Sequence, residues 1–102
     1  MIFVKIHCPS HKVVRKVISL CDETLLGKRF EEGNRQLDVR EQFYQGNLMS
    51  REKVVPFLLL HSREDATFNI VGEESVACAL EAGLIGQHTI GKVAGIPFSL
   101  VF

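Results

Sequence analysis

The stretch ATFNIVGEESVACALEAG, residues 66–83, decides the fold class. Its first six residues, with β-branched Thr67, Ile70 and Val71 and aromatic Phe68, read as a short strand. The rest changes period. Val76, Ala79, Leu80 and, just beyond, Leu84 recur at helical spacing. Glu73 and Glu74 put negative charge where the helix dipole favours it, and Gly83 supplies a stop. A strand that turns through one glycine into an amphipathic helix needs a sheet to lie on, so the flanking sequence should supply further strands.

It does. Ile2, Val4 and Ile6 alternate with Phe3, Lys5 and His7, CPSH (8–11) is a turn, and VVRKVISL (13–20) returns with Val14, Ile18 and Leu20 on one face. Together they predict a hairpin, with a bulge or strand end beside Lys16, which falls on the apolar face. Asp22 is placed to cap the short segment ETLLG (23–27), which Gly27 closes. KRF (28–30) and RQLDV (35–39) flank a Gly33-Asn34 turn and predict a second hairpin with Leu37 and Val39 inward. EQFYQG (41–46) reads as a single helical turn. Ser50 caps a helix running towards His61; Pro56 lies too deep for its first turn, so the helix either kinks there or begins there. HTIGKV (88–93) and IPFSLVF (96–102) are two last strands joined across Ala94-Gly95, with Pro97 at a strand start or edge. The expectation is one α+β domain over residues 1–102: a mostly antiparallel sheet built from hairpins, with two main helices packed on one side.

Composition bounds the function. Of 102 residues 46% are hydrophobic and 24% charged, which excludes a disordered chain, and 12 basic residues balance 12 acidic ones. The distribution is uneven. Residues 1–21 carry Lys5, Lys12, Arg15 and Lys16 with no acid, and residues 82–102 carry only Lys92. MIFVKIH is too short and too soon interrupted by charge for a signal peptide or a membrane span, so no membrane partner is expected. Three cysteines without a C-x-x-C pair point to a reduced, cytoplasmic protein with no disulfide framework.

Several stretches approach a chemical signature without completing one. Gly86 to Val93 fits G-x-x-x-x-G-K, but Val93 stands where a phosphate loop needs Ser or Thr, and the run follows a helix instead of opening one. Cys8 and His11 have the spacing of half a zinc site, with Cys21 as a third candidate ligand, but His7 would point to the opposite side and no second cluster follows. Cys8, Cys21 and Cys78 lack a local base signature for a thiol nucleophile. The acid pairs Asp22-Glu23, Glu31-Glu32, Glu64-Asp65 and Glu73-Glu74 all fall in turns or at helix starts, where capping and solvation account for them. No catalytic residue, metal site or cofactor is assigned. Lys5, Arg15, Lys16 and Lys92 remain as candidate anion or RNA contacts, converging on one surface if the C-terminal strands pair with the first hairpin.

VISLCDETLLGKRFEEG, FYQGN, FNIVGEESVACALEAGLI and VAGIPF, in that order, resemble the archaeal domain-of-unknown-function family 424. The resemblance rests on Cys21, Asp22, Leu25, Leu26, Gly27 and Lys28, on Phe43, Tyr44 and Gly46, on Asn69, Val71, Gly72 and Glu73, and on Gly95 and Pro97. It implies a small archaeal cytoplasmic protein of unassigned activity and leans towards an RNA or ribosome connection. Within the family pattern Asp22, Lys28, Asn69 and Glu73 are polar, and serve either as caps or as the lining of one surface. Lys28 is the contact candidate in its stretch. The first expectation is therefore a non-enzymatic RNA- or ribosome-associated binding protein. A protein–protein adaptor or homodimer using the IPFSLVF edge is the alternative. An enzyme would need a pocket joining Asp22, Lys28 and Asn69.

Overall fold

A computed structural model describes residues 1–7 and 16–102; the CPSH turn, Cys8, His11, Lys12, Val14 and Arg15 lie outside the described residues. A six-stranded sheet has the order β5-β1-β2-β6-β8-β7, from β1 (Ile2–His7), β2 (Lys16–Asp22), β5 (Asn47–Met49), β6 (Ala66–Val71), β7 (Gly91–Val93) and β8 (Ile96–Val101). β3 (Arg29–Glu32) and β4 (Arg35–Asp38) form a separate two-stranded sheet around the Gly33-Asn34 turn. The helices are α1 (Glu41–Tyr44), α2 (Arg51–His61) and α3 (Glu73–Glu81).

β2 and β6 pair in parallel, Ile18 beside Phe68 and Cys21 beside Val71, and every other neighbouring pair is antiparallel. That central pair explains the run Ile18-Ser19-Leu20-Cys21, in which all four residues have no accessible surface. A strand inside a parallel pair is covered on both faces and so loses the in–out alternation of a half-exposed hairpin. The expectation that the C-terminal strands join the first hairpin is corrected here, because β6 lies between β2 and β8.

α2 and α3 cover one face, where Ile2, Val4, Ile18, Leu20, Phe68 and Ile70 meet Val54, Leu58, Val76, Cys78 and Ala79. Each large side chain fully buried there contributes about 1.5–3 kcal/mol relative to exposure. On the opposite face the β3–β4 hairpin and α1 cover one end of the sheet, packing Val39 and Tyr44 on Cys21 and Val71. Arg35 of that hairpin lies over the Phe98 ring at 6.0 Å.

Two helix expectations resolve differently. α2 runs unbroken from Arg51 with Pro56 inside it, and its first turn is closed by the Ser50 carbonyl accepting from Lys53 N and Val54 N, both at 3.0 Å. α3 has Gly72 as its N-cap residue, at φ 110°, so it has no capping side chain of its own. HTIGKV also contracts: Gln87–Thr89 is a 3-10 turn and only Gly91–Val93 is strand. β5 had no counterpart among the expected elements.

Candidate functional site

Three of the four family-like stretches meet at one end of the parallel pair. Asp22 ends β2, Gly72 joins β6 to α3, and Pro97 lies at the start of β8. The carboxylate of Asp22 is buried and accepts three hydrogen bonds: from Glu74 N (3.0 Å), Ser75 N (2.8 Å) and Ser75 Oγ (2.7 Å). Asp22 therefore caps α3 and not its own ETLLG segment, whose 3-10 turn takes no bond from the Asp22 side chain. Gly72 must be glycine for two reasons. Its φ is in the region that penalises side chains, and a Cβ there would stand 2.2 Å from Asp22 Cγ. Gly72 N also donates to the Pro97 carbonyl at 2.9 Å, tying the third stretch to the other two.

The end of a parallel strand facing a helix N-terminus is the usual place for an anionic ligand. Here the protein's own carboxylate occupies it. The adjoining cleft, about 210 Å³ and lined by Asp22, Thr24, Leu25, Glu73, Ile96 and Pro97, holds a second acid and no cation. Asn69 does not join it. It pairs with Ser19 on the sheet face opposite the one to which Asp22 turns, and Lys28 is exposed at the entry to the β3–β4 hairpin. The pocket that an enzyme would need around Asp22, Lys28 and Asn69 is not formed; Asp22 and Glu73 come together and the other two stand apart.

Among the described residues, Cys21, Cys78, His7 and His61 are likewise engaged in structure. Burial, and then the neighbouring Asp22 charge, pushes the Cys21 thiol up to about 12, and its Sγ–H donates to the Asp22 carbonyl at 3.2 Å. Burial also raises Tyr44 to about 12, with Cys21 second. Cys78 is buried in the helical layer and raised by that burial. Ser19 and His7 form a pair that sequence reasoning did not foresee, 3.4 Å apart. Ser19 Oγ donates to the Phe43 carbonyl (3.0 Å), His7 Nε2 lies 2.9 Å from the same oxygen, and the imidazole stacks on Phe43. With no accessible surface, Ser19 is a fixture holding α1 to the sheet. His61 packs against Phe57 with the two rings tilted by 46°, and its Nδ1 lies 3.5 Å from Glu64 Oε1, not aligned as a hydrogen bond. Among the described residues no three His, Cys, Asp or Glu side chains gather as a metal ion would require. Lys92 of the G-x-x-x-x-G-K run sits in β7, so its backbone builds no phosphate cradle.

The described candidates Lys5, Lys16 and Lys92 do not share a surface. Lys5 lies on the face of Ser19 and donates to the Gln42 carbonyl at 2.7 Å. Lys16 has the opposite parity and bonds Glu64 at 2.7 Å beyond α2. Lys92 stands three strands from Lys16 and level with Gly72, which puts the two about 25 Å apart at ordinary strand spacing and rise. Arg15 lies outside the described residues.

Among the described residues the sheet is open where its outer strands stop short. β5 pairs only with Ile2–Val4 of β1, and β7 only with Ile96–Phe98 of β8. Strand parity fixes which backbone groups are left facing out. The Pro97 carbonyl takes the Gly72 amide on the β6 side, so Ser99 and Val101 also face β6 while Leu100 and Phe102 face outward. The Met1 carbonyl takes the Glu23 amide on the β2 side, so Ile6 faces outward on β1. Both openings lie at the end of the sheet away from Asp22. They carry exposed Ile6 (42%), Leu100 (48%) and Phe102 (83%). Beside β8, the chain leaves the sheet plane before Gly91, where Ser99 Oγ donates to the Thr89 carbonyl at 3.1 Å. That departure leaves a groove of about 550 Å³ between Gly83–Thr89 and Leu100–Phe102. No helix among the described residues is long and apolar enough to cross a membrane.

A family model described as "Protein of unknown function (DUF424)" matches residues 11–102. Among solved structures the chain is similar to an uncharacterized conserved protein from Methanopyrus kandleri, with a TM-score of 0.77 and 28% identity. The match covers 98% of this chain and 89% of that one. The search of curated proteins returned no match.

Proposed function

We propose that this chain, which belongs to the DUF424 family, acts as a non-enzymatic protein-interaction module that receives extended segments along the open ends of its sheet. One observation carries the reading: each outer strand covers three residues of its neighbour, leaving outward amide and carbonyl groups at Ile6 and Leu100 beside exposed apolar side chains. Such edges are ready templates for an added strand, in which main-chain bonds supply affinity and the flanking groove supplies selectivity. The catalytic alternative lacks an assembled set of groups, since the one junction of family-like residues spends its carboxylate on capping α3. An RNA- or ribosome-binding role needs a shared cationic surface, and the described lysines Lys5, Lys16 and Lys92 do not form one.

The test is capture from a cell lysate by immobilised wild-type protein, by Ile6→Lys and by Lys28→Ala, each with and without ribonuclease. The reading expects proteins retained by wild type and Lys28→Ala, resistant to ribonuclease, and lost with Ile6→Lys. Capture that ribonuclease abolishes would return the case to RNA, and capture unchanged by Ile6→Lys would end the strand-addition reading.

A further inference from the structure

We infer that the open end of β8 is taken by a second copy of this chain, in an antiparallel pairing of β8 with β8 about a two-fold axis at Val101; this rests on the strand-addition reading above and leaves the β1 edge for a different partner. Hydrogen-bond parity favours this axis. A two-fold antiparallel pair needs residues equidistant from the axis to present their backbone groups to each other. With the axis at Val101, Leu100 meets Phe102 of the other copy, and both are outward-facing positions. Val101 then meets its own equivalent as the close, non-hydrogen-bonded pair. An axis at Leu100 would also satisfy parity, but it would bring Phe102 against Phe98, whose outer side is already held by Gly91 of β7.

The distribution of charge favours the same edge. The first half of β8 is covered by β7, whose own outer edge carries Lys92, a usual guard against added strands. From Phe98 to Phe102 there is neither a charge nor a proline, and residues 82–102 contain no Asp or Glu. In the paired form Leu100 and Phe102 of both copies, 48% and 83% exposed in the single chain, meet on one face of a continuous sheet. The β1 edge lacks this self-complementarity: pairing it with itself about Ile6 would set Lys5 against His7. With two outward-facing residues on each copy the ladder is short, so the dimer dissociates on dilution.

The experiment is sedimentation equilibrium from ~1 mM to ~1 µM protein, with Leu100→Lys and Phe102→Lys beside wild type. A Cys8→Ser background carrying Val101→Cys or Leu100→Cys is treated with oxidised glutathione to test the register. Expected are a mass rising to two chains with concentration in wild type and a loss of at least tenfold in association in both lysine variants. Val101→Cys should form an interchain disulfide and Leu100→Cys should not, because only the former has its equivalent directly opposite at a bridging distance. Phe102→Lys keeps the test valid should Leu100→Lys fail to fold. A one-chain mass at every concentration, association unaffected by the lysines, or crosslinking of Leu100→Cys in preference to Val101→Cys would each overturn the pairing. Should the chain prove monomeric while Ile6→Lys still loses its captured proteins, the self-pairing falls and the edge reading stands.

Discussion

Truncating Asp22 should be among the most damaging single changes in the molecule. In Asp22→Ala the amides of Glu74 and Ser75 and the Ser75 hydroxyl lose their acceptor together. Loss of an N-cap costs about 0.5–2 kcal/mol, and leaving a buried donor unsatisfied adds about 1–3 kcal/mol. Ser75 has no accessible surface, so water does not replace the carboxylate at its hydroxyl. The sum is about 3 kcal/mol, which lowers the melting temperature of a domain this size by about 15 °C. Urea unfolding followed by far-ultraviolet circular dichroism is the assay, with the midpoint falling and the slope unchanged. Asp22→Asn keeps one acceptor oxygen and should lose about half as much. An Asp22→Ala protein within about 0.5 kcal/mol of wild type would show that α3 does not depend on this carboxylate.

Gly72→Ala should destabilise more than Gly33→Ala, since both glycines have positive φ but only the first would press a Cβ against Asp22, and the Gly72→Ala/Asp22→Ala double variant should lose less than the sum of the singles. Stability should decline above about pH 9 in alkaline urea titrations: Cys21 rises from 9.0 to about 12 on folding, so the stability it contributes is complete below pH 9 and lost as pH climbs through 12. Tyr44, raised from 10.0 to about 12, adds to the same decline, and Cys21→Ala should flatten it. Pro56→Ala should stabilise by about 2 kcal/mol, read from the urea midpoint, because it restores an amide inside α2 at an exposed position. Gly46→Ala should loosen β5 and speed amide exchange in Ile2–Val4, since its Cβ would lie 2.3 Å from the Val4 carbonyl.

What could be read from the sequence was what depends on neighbours in the chain. The Gly33-Asn34 hairpin, the α3 stripe and the Gly83 stop follow from turn chemistry and helical period, and all three stand where expected. Asp22 was misplaced because a carboxylate beside a helical segment has the same local signature whether it caps that segment or one 52 residues later. A clue was present: Glu73-Glu74-Ser75 follows a glycine, so α3 begins without a capping side chain and needs one from elsewhere. The parallel pairing was also written in the buried run Ile18–Cys21, which lacks the alternation of an exposed hairpin strand. The dispersal of the lysines was not legible, because charge along a chain carries no face. Once the register is known, the odd number of Lys5 and the even number of Lys16 send them to opposite sides, and three strands lie between β1 and β7.

The parallel contact between β2 and β6 also sets how the molecule must reach its native state. Its two strands lie on either side of the β3–β4 sheet, α1, β5 and α2, so joining them closes a large loop before the contact gives any return. Chains dominated by such distant contacts fold in milliseconds to seconds, not microseconds. During that delay Ile18 and Leu20 lack their β6 neighbours, which makes the emerging chain most vulnerable to aggregation until residues 66–71 have been synthesised.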